Sequence, residues 1–335
     1  KKEKLMNILF TLNNAFVPQA ATCMCSIFEN NKSMSEINIY LIASNISIDN
    51  KQKLINFAER YGRKVHLINL GEISDLIDFD FDTNGWSSIV LARLFLDKLL
   101  PDDINRILYL DGDTLVLKDI SNFYNIDLGD KVLGMCPEPT VDKERRKFLA
   151  LGEVPYHNSG VLLIDLKRWR REEIGKKVID FYKLHDGKLF APDQDALNGA
   201  LNKDIATLSI SYNYFNIYDT YPYRILKQLS FPSDFISKNE FLEIKKSPSI
   251  IHYLGEERPW RKGNTHRFVK QYLDYQKRTP WSETPMETGW ELYFICFRIF
   301  NIVMKPFPML RYKIINSLIP AFMRYRKKQL QKNKK

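Results

Sequence analysis

No acidic residue follows Glu291 in this chain of 335 residues. All 40 Asp and Glu residues lie at or before that point, whereas eleven of the 50 Lys and Arg residues lie beyond it. The net charge of +10 is therefore a property of the tail, and the body is near neutral. A basic groove for nucleic acid would involve the body as well, so that class is set aside. Cysteine is scarce: Cys23, Cys25, Cys136 and Cys296 form no C-x-x-C pair and no regular framework. This excludes a disulfide scaffold or a zinc module and predicts buried, reduced thiols in a cytosolic protein. No apolar run reaches the ~20 residues that a spanning helix needs. Leu292–Met304 comes nearest, but Arg298 and Asn301 interrupt it and Lys305-Pro306-Phe307-Pro308 ends it. Internal repeats and low-complexity linkers are absent. Lys1-Lys2-Glu3-Lys4 is basic, yet the apolar stretch after it is short and holds Asn7, so it reads as a first core strand rather than a signal peptide.

What is present is a hydrophobic fraction of 44%, enough for a substantial core. Leu5–Phe10, Ile37–Ala43, Val65–Leu70 and Arg106–Leu110 read as strands. Ala20–Asn30, Asp49–Tyr61 (opened by a capping-type Asp49) and Ser87–Leu100 read as helices between them. This rhythm predicts an α/β fold with a mostly parallel central sheet covered on both faces. Further on, Val161–Leu166 and Ser249–Tyr253 read as strands, and Trp169–Leu184 and Asp195–Leu201 as helices. In such sheets ligands bind beyond the carboxyl ends of the strands, so polar clusters there are site candidates.

The sharpest cluster is Ile107-Leu108-Tyr109-Leu110-Asp111-Gly112-Asp113. Residues i and i+2 of an extended segment point the same way, so the two carboxylates can converge, and Gly112 lets a ligand approach. Two hard oxygen ligands at a strand end suit Mg²⁺ or Mn²⁺ holding a diphosphate. A solvated turn is the bland alternative, which the apolar strand before it disfavours. An EF-hand is excluded by Leu115 and Leu117. A phosphohydrolase of haloacid dehalogenase type also carries Asp-x-Asp after a strand, but it needs a Thr one residue beyond Thr114, where Leu115 stands. A second cluster, His252-Tyr253-Leu254-Gly255-Glu256-Glu257-Arg258, joins an imidazole, a flexible backbone point and a fixed cation. Tyr156-His157-Asn158-Ser159-Gly160 is equally ordinary turn chemistry. Ala191-Pro192-Asp193-Gln194-Asp195 is equally a helix start with Asp193 as N-cap.

Taken together, and in this order from about Met6 to about Phe268, these segments resemble the retaining glycosyltransferases of family 8, which include bacterial lipopolysaccharide galactosyl- and glucosyltransferases. The resemblance is carried by Leu-Tyr-Leu-Asp-Gly-Asp, Asn-Ser-Gly-Val-Leu-Leu-Ile-Asp-Leu-Lys-Arg-Trp, Asp-Gln-Asp-Ala-Leu-Asn and His-Tyr-x-Gly-x-x-Arg-Pro-Trp. It implies the nucleotide-sugar-binding GT-A fold. It implies that Asp111, Asp113 and His252 bind Mn²⁺ (or Mg²⁺) and through it a UDP diphosphate. Thr11 and Asn13 would contact uridine, Gly255 and Arg258 the diphosphate, with Gly112 also among the donor-binding residues. Arg93, Asn158, Ser159, Asp193 and Gln194 would hold the donor sugar, Gln194 and Asp193 lying nearest the chemistry. Three positions depart from the family: Asn13-Asn14 stand where acids are frequent, Arg258 where Lys is common, and Glu138 where a galactosyltransferase relative has Asp. The implied activity is Mn-dependent, retaining transfer of galactose or glucose from a UDP-sugar to a surface glycan. The competing readings are the phosphohydrolase and a non-catalytic, membrane-bound glycan-binding protein.

The tail reads separately. Thr279-Pro280 and Thr284-Pro285 mark a boundary, giving a catalytic domain over 1–280 and a helical basic tail over 281–335. Ile314, Ile315, Leu318, Ile319, Phe322 and Met323 recur at helical spacing, with Lys313, Arg324 and Lys327 off that stripe and Pro320 expected to kink it. A basic, amphipathic helix of this kind suits the interface of an anionic membrane, which would place a cytoplasmic protein peripherally on the inner face. The alternative is a tail packed on the body or on a second subunit.

Overall fold

The computed structural model describes residues 4–230 and 235–333, with side-chain surroundings as far as Lys328. Lys1, Lys2, Glu3, Lys334 and Lys335 lie outside it. Ten strands occur among the described residues: β1 (Leu5–Asn13), β2 (Glu36–Ser44), β3 (Lys64–Asn69), β4 (Arg106–Leu110), β5 (Thr114–Val116), β6 (Leu133–Pro137), β7 (His157–Asp165), β8 (Ile205–Thr207), β9 (Tyr214–Phe215) and β10 (Ile250–His252). Seven form one sheet in the order β3-β2-β1-β4-β7-β6-β8, parallel except where β7 runs against β4 and β6. The expected mostly parallel α/β sheet is thus present. Its inner strands are buried on both faces, as their unbroken apolar runs require. One layer packs Ile8, Phe10, Leu108 and Leu163 against the helix Val17–Asn30. The other packs Leu9, Ile107, Tyr109 and Leu162 against Trp169, Val178 and Leu197.

The chain runs outward from β1 through β2 to β3, then returns to β4 on the other side of β1. This reversal opens a crevice at the carboxyl ends of β1 and β4, the usual place for a ligand in such sheets. Thr11–Asn13 and Asp111–Asp113 border it. A second, three-stranded sheet, β5-β10-β9, grows from the end of β4. Its antiparallel β5–β10 register sets His252 opposite Thr114, directly beside Asp113.

Several local expectations are corrected. The second helix is Ile48–Glu59, and its N-cap is Ser47, whose hydroxyl accepts from the Asn50 amide; Asp49 lies in the first turn. Ser87–Leu100 is a 3₁₀ segment, Ser88–Leu94, followed by the short helix Leu96–Leu99. Ile89 and the unbroken run Leu91–Leu96 are all buried, so the segment has no solvent face and is not an amphipathic α-helix. Trp169–Leu184 is two helices, Leu166–Arg171 and Ile174–Leu184, separated at Glu173, whose φ of 50° breaks the ladder. Asp193 is not an N-cap: Ala191 holds that place and Asp193 lies in the first turn of Pro192–Ala200. Tyr156–Gly160 is not a turn before a strand, since β7 already begins at His157. Of the cysteines, Cys23, Cys25 and Cys136 are buried as expected, but Cys296 is exposed.

Leu108 sits in mid-sheet between Ile8 of β1 and Leu163 of β7, fully buried. Replacing it with Ala should cost about 2–5 kcal/mol through lost burial and an unfilled cavity. Urea denaturation of the purified variant measures this, and a change below about 1 kcal/mol would contradict the packing described.

Candidate active site

All of Thr11, Asn13, Arg93, Asp111, Gly112, Asp113, Asn158, Ser159, Asp193, Gln194, His252, Gly255 and Arg258 line one cavity of about 410 Å³ at the β1/β4 crevice. Residues from six separate stretches of sequence therefore converge. The convergence begins with a tight turn after β4, in which the Thr114 amide and hydroxyl both donate to the Asp111 carbonyl. The turn aims both carboxylates into the crevice. A Cβ on Gly112 would come within 2.9 Å of the Phe16 ring, so a larger residue there would have to displace that ring. Gly255, at φ 82°, adopts the left-handed backbone that glycine favours and turns the chain toward Arg258.

Ligand atoms of Asp111, Asp113 and His252 lie within 4.8 Å of one another. The His252 Nε2 is 3.4 Å from Asp113 Oδ1 and 3.8 Å from Asp111 Oδ2. Hydrogen bonding sets which ring nitrogen faces them. The Gly160 amide donates to Asn158 Oδ1, which fixes that side chain's orientation. Asn213 Nδ2 donates to the same oxygen at 2.8 Å, leaving Asn213 Oδ1 to face His252 Nδ1 at 2.9 Å. The Nδ1–H is thereby engaged and Nε2 points at the carboxylates. Two carboxylates and an imidazole so arranged could hold a divalent cation, and the outer hydrogen bond is the kind that orients a metal-binding histidine. Burial opposes a charge on His252, but the bond to Asp113 and the field of both carboxylates raise its pKa above the ordinary value. Burial likewise raises Asp113, and His252 and Arg258 outweigh it, holding that carboxyl below the usual range.

The deeper wall is built on Arg93. Its guanidinium is buried, donates to Asp111 Oδ1 at 2.8 Å and to the Ser159 carbonyl at 2.9 Å, and lies 3.2 Å from Asp193 Oδ2. It also stacks over the Tyr109 ring at 4.0 Å. Burial raises the Asp193 pKa, against the opposing pull of Arg93. Ser159 donates to Asp193 Oδ2 at 3.0 Å. Gln194 Oε1 accepts from the Ser159 amide, and its Nε2 donates to Glu138 Oε2 and Tyr156 Oη. A slip in the β6/β7 register beyond Met135 lets Ser159 and Gly160 bow toward the crevice, where the Gly160 carbonyl accepts from the Asp111 amide. His157 points away, to Thr207, and burial pushes its pKa down to about 4, so it is a neutral structural group.

Residues 7–264 match the model of Glycosyl transferase family 8. The chain belongs to that family. The glycosyltransferase is 30% identical to a putative glycosyltransferase of Haemophilus influenzae over 264 residues, 78% of this chain and 74% of the relative. It is 27% identical to the lipopolysaccharide 1,2-glucosyltransferase of Escherichia coli K12, covering 83% of this chain and 79% of that one. Among solved structures, the galactosyltransferase LgtC in complex with donor and acceptor sugar analogs superimposes with a TM-score of 0.69 at 21% identity, over 85% of this chain and 99% of that one. The fold is therefore GT-A and the protein is an enzyme. Membership replaces both the phosphohydrolase and the non-catalytic readings, and the Thr114 hydroxyl is in any case donated to the Asp111 carbonyl.

Sequence reasoning missed four contributors: Tyr109, whose hydroxyl donates to Asp111 Oδ1 at 2.5 Å; Asn213; Arg145, which pairs with Asp195; and the end of the tail helix, discussed below. Tyr109 was detectable, since it shares the strand face of Asp111. Nothing local marks Asn213.

If Asp111, Asp113 and His252 hold a divalent cation, Asn213→Ala should weaken its binding roughly ten- to a hundredfold, the usual effect of losing an outer hydrogen bond to a metal-binding histidine. Isothermal titration with Mn²⁺ reads this, and an unchanged affinity would show that Asn213 does not orient the ring.

Proposed function

We propose that this glycosyltransferase moves galactose or glucose from a UDP-sugar to a glycan acceptor, with retention of configuration at the anomeric carbon. The observation that carries the reading is the joint placement of Asp111, Asp113 and His252 beside Gly255 and Arg258, in a cavity whose other wall is Arg93, Asp193 and Gln194. The names of the Escherichia coli relative and of LgtC point the same way for the sugar. Thr11 and Asn13, at the end of β1, would take the uridine, and Arg93, Asn158 and Ser159 the sugar.

Breaking the sugar–phosphate bond leaves negative charge on UDP and positive charge on the anomeric carbon. A Mn²⁺ (or Mg²⁺) held by Asp111, Asp113 and His252 would supply positive charge at the departing diphosphate. Arg258, only 3.6 Å from Asp113, adds a guanidinium on the same side. Gln194 is a poor nucleophile, and its oxygen is already accepting from Ser159. Asp193 is shared between Arg93 and Ser159, which weakens it as a nucleophile without removing it. We favour attack by the acceptor hydroxyl on the face that UDP leaves: the bond to UDP breaks, the bond to the acceptor oxygen forms, and the hydroxyl proton passes to the departing phosphate.

UDP release from UDP-galactose or UDP-glucose should require Mn²⁺ or Mg²⁺ and vanish in folded Asp113→Asn. The anomeric proton of the product, read by NMR coupling, should report an α linkage from an α-linked donor. A β product would overturn the same-face mechanism, and metal-independent turnover would overturn the metal assignment.

For the segment 281–335 we propose a peripheral membrane role at the inner face, with 1–280 as the catalytic part. No helix among the described residues is long and apolar enough to cross a membrane. Leu292, Ile295, Ile299 and Ile302 stand exposed along one side of the helix Glu291–Met304, at one-turn spacing, with Phe307 and Leu310 beyond. Of the stripe Ile314, Ile315, Leu318, Ile319, Phe322 and Met323, the last three line the cavity, while Leu318 and Phe322 also remain exposed, so the second helix adds to this apolar surface only in part. Replacing Ile295, Ile299 and Ile302 together with Ser should abolish the salt-resistant part of binding to phosphatidylglycerol vesicles in a sedimentation assay. Unaltered binding would refute the assigned face.

A further inference from the structure

The helix Pro308–Asn333 does not extend free of the body. Near its start, buried Arg311 donates to Tyr221 Oη at 2.8 Å and to Asn301 Oδ1 at 2.9 Å. Toward its end it closes on the loop 82–87: Lys327 pairs with Asp82, and a Cβ on Gly85 would lie 3.1 Å from the Lys327 backbone nitrogen. Between these anchors, Ile319, Phe322, Met323 and Arg326 become part of the lining of the catalytic cavity.

Arg326 is the unexpected member. Its guanidinium lies over the Trp86 ring at 4.4 Å, on the cavity side of the helix. Among the described residues no carboxylate is paired with it. Burial disfavours its charge, and the neighbouring cations Arg258 and Arg261 disfavour it further, against only partial compensation from Glu256 and Asp113. Two guanidiniums, Arg258 and Arg326, thus border the same corner of the cavity. A half-buried cation beside a like charge is costly unless an anion completes the site. Flat, forked donors of this kind fit phosphate oxygens well.

We propose that the C-terminal helix is a wall of the donor site and that Arg326 binds the donor's diphosphate directly, together with Arg258. This rests on the nucleotide-sugar reading above and extends it to a segment outside the family match, which ends at residue 264. Stacking on Trp86 pre-orients the guanidinium, and Ile319 and Phe322 give the same wall an apolar lining. A tail so placed serves both the membrane, through its outward apolar side, and the donor, through its inward side.

The test uses the full-length chain with Mn²⁺ and titrates UDP and uridine separately by calorimetry, with competition for the weaker ligand. Arg326→Ala should lose roughly ten- to a hundredfold in UDP affinity, as expected for a charged hydrogen-bond partner. Its uridine affinity should stay within about twofold of the parent's, because uridine lacks the diphosphate. Arg326→Lys should fall between, and Arg324→Ala, an exposed neighbour on the same helix, should match the parent. Equal UDP affinity for Arg326→Ala and parent overturns the proposal, as does an equal loss for UDP and uridine, which would mean a generally disturbed wall. Failure of the parent itself to bind UDP would overturn the nucleotide-sugar reading and this proposal with it.

Discussion

Three carboxylates share one buried corner of this enzyme, and the arrangement is tenable because Arg93 lies among them. Asp111 and Asp193 both contact its guanidinium, while Asp113 is held charged by His252 and Arg258. Unpaired charges at that depth would cost several kcal/mol each. The 3₁₀ segment that carries Arg93 inward, the bowed start of β7 that offers it the Ser159 carbonyl, and the turn after β4 all serve this pairing. Beside this paired frame, the Arg258 and Arg326 guanidiniums line the same cavity. That is the polarity a diphosphate leaving group needs.

The polar network is continuous from one strand to the next. Gly160 fixes Asn158, Asn158 fixes Asn213, and Asn213 fixes the tautomer of His252. The last of these residues reaches the first only because β10 pairs with β5, immediately downstream of the two aspartates. A Cβ on Gly160 would meet the His252 ring at 2.3 Å, so the same glycine that anchors the network also makes room for its end. The buried thiols nearby take no part in this chemistry: burial pushes Cys23 up to about 12, and its sulfur lies against the Thr114 hydroxyl.

The tail is the element whose two faces answer to different surroundings. Most of the exposed large apolar side chains lie on it, yet Met304 and Met323 are buried and Trp281, ahead of both helices, packs into the main core. Packing thus continues across Thr279-Pro280 into the start of the tail. Arg261 stacking on Trp290 and Glu287 bonding to Trp260 tie the connection to the site-bearing loop.

The sequence by itself determined five of the seven strands of the main sheet (all but β6 and β8), the paired aspartates, the histidine segment and the basic, apolar tail. Each of these is a local pattern: an unbroken apolar run in a buried strand, two aspartates at i and i+2 after such a run, or a charge bias confined to one end. Even the joint order of the motifs was legible, and all thirteen predicted site residues do face one cavity. Tertiary structure alone decided the rest. The Ser88–Leu94 turn, the early start of β7, the role of Asn213 and the inward face of the last helix depend on partners far away in the chain. Hydrogen bonds and ion pairs to such partners leave no periodicity behind, so Asn213 and Arg326 look like any surface residues until the chain has closed around them.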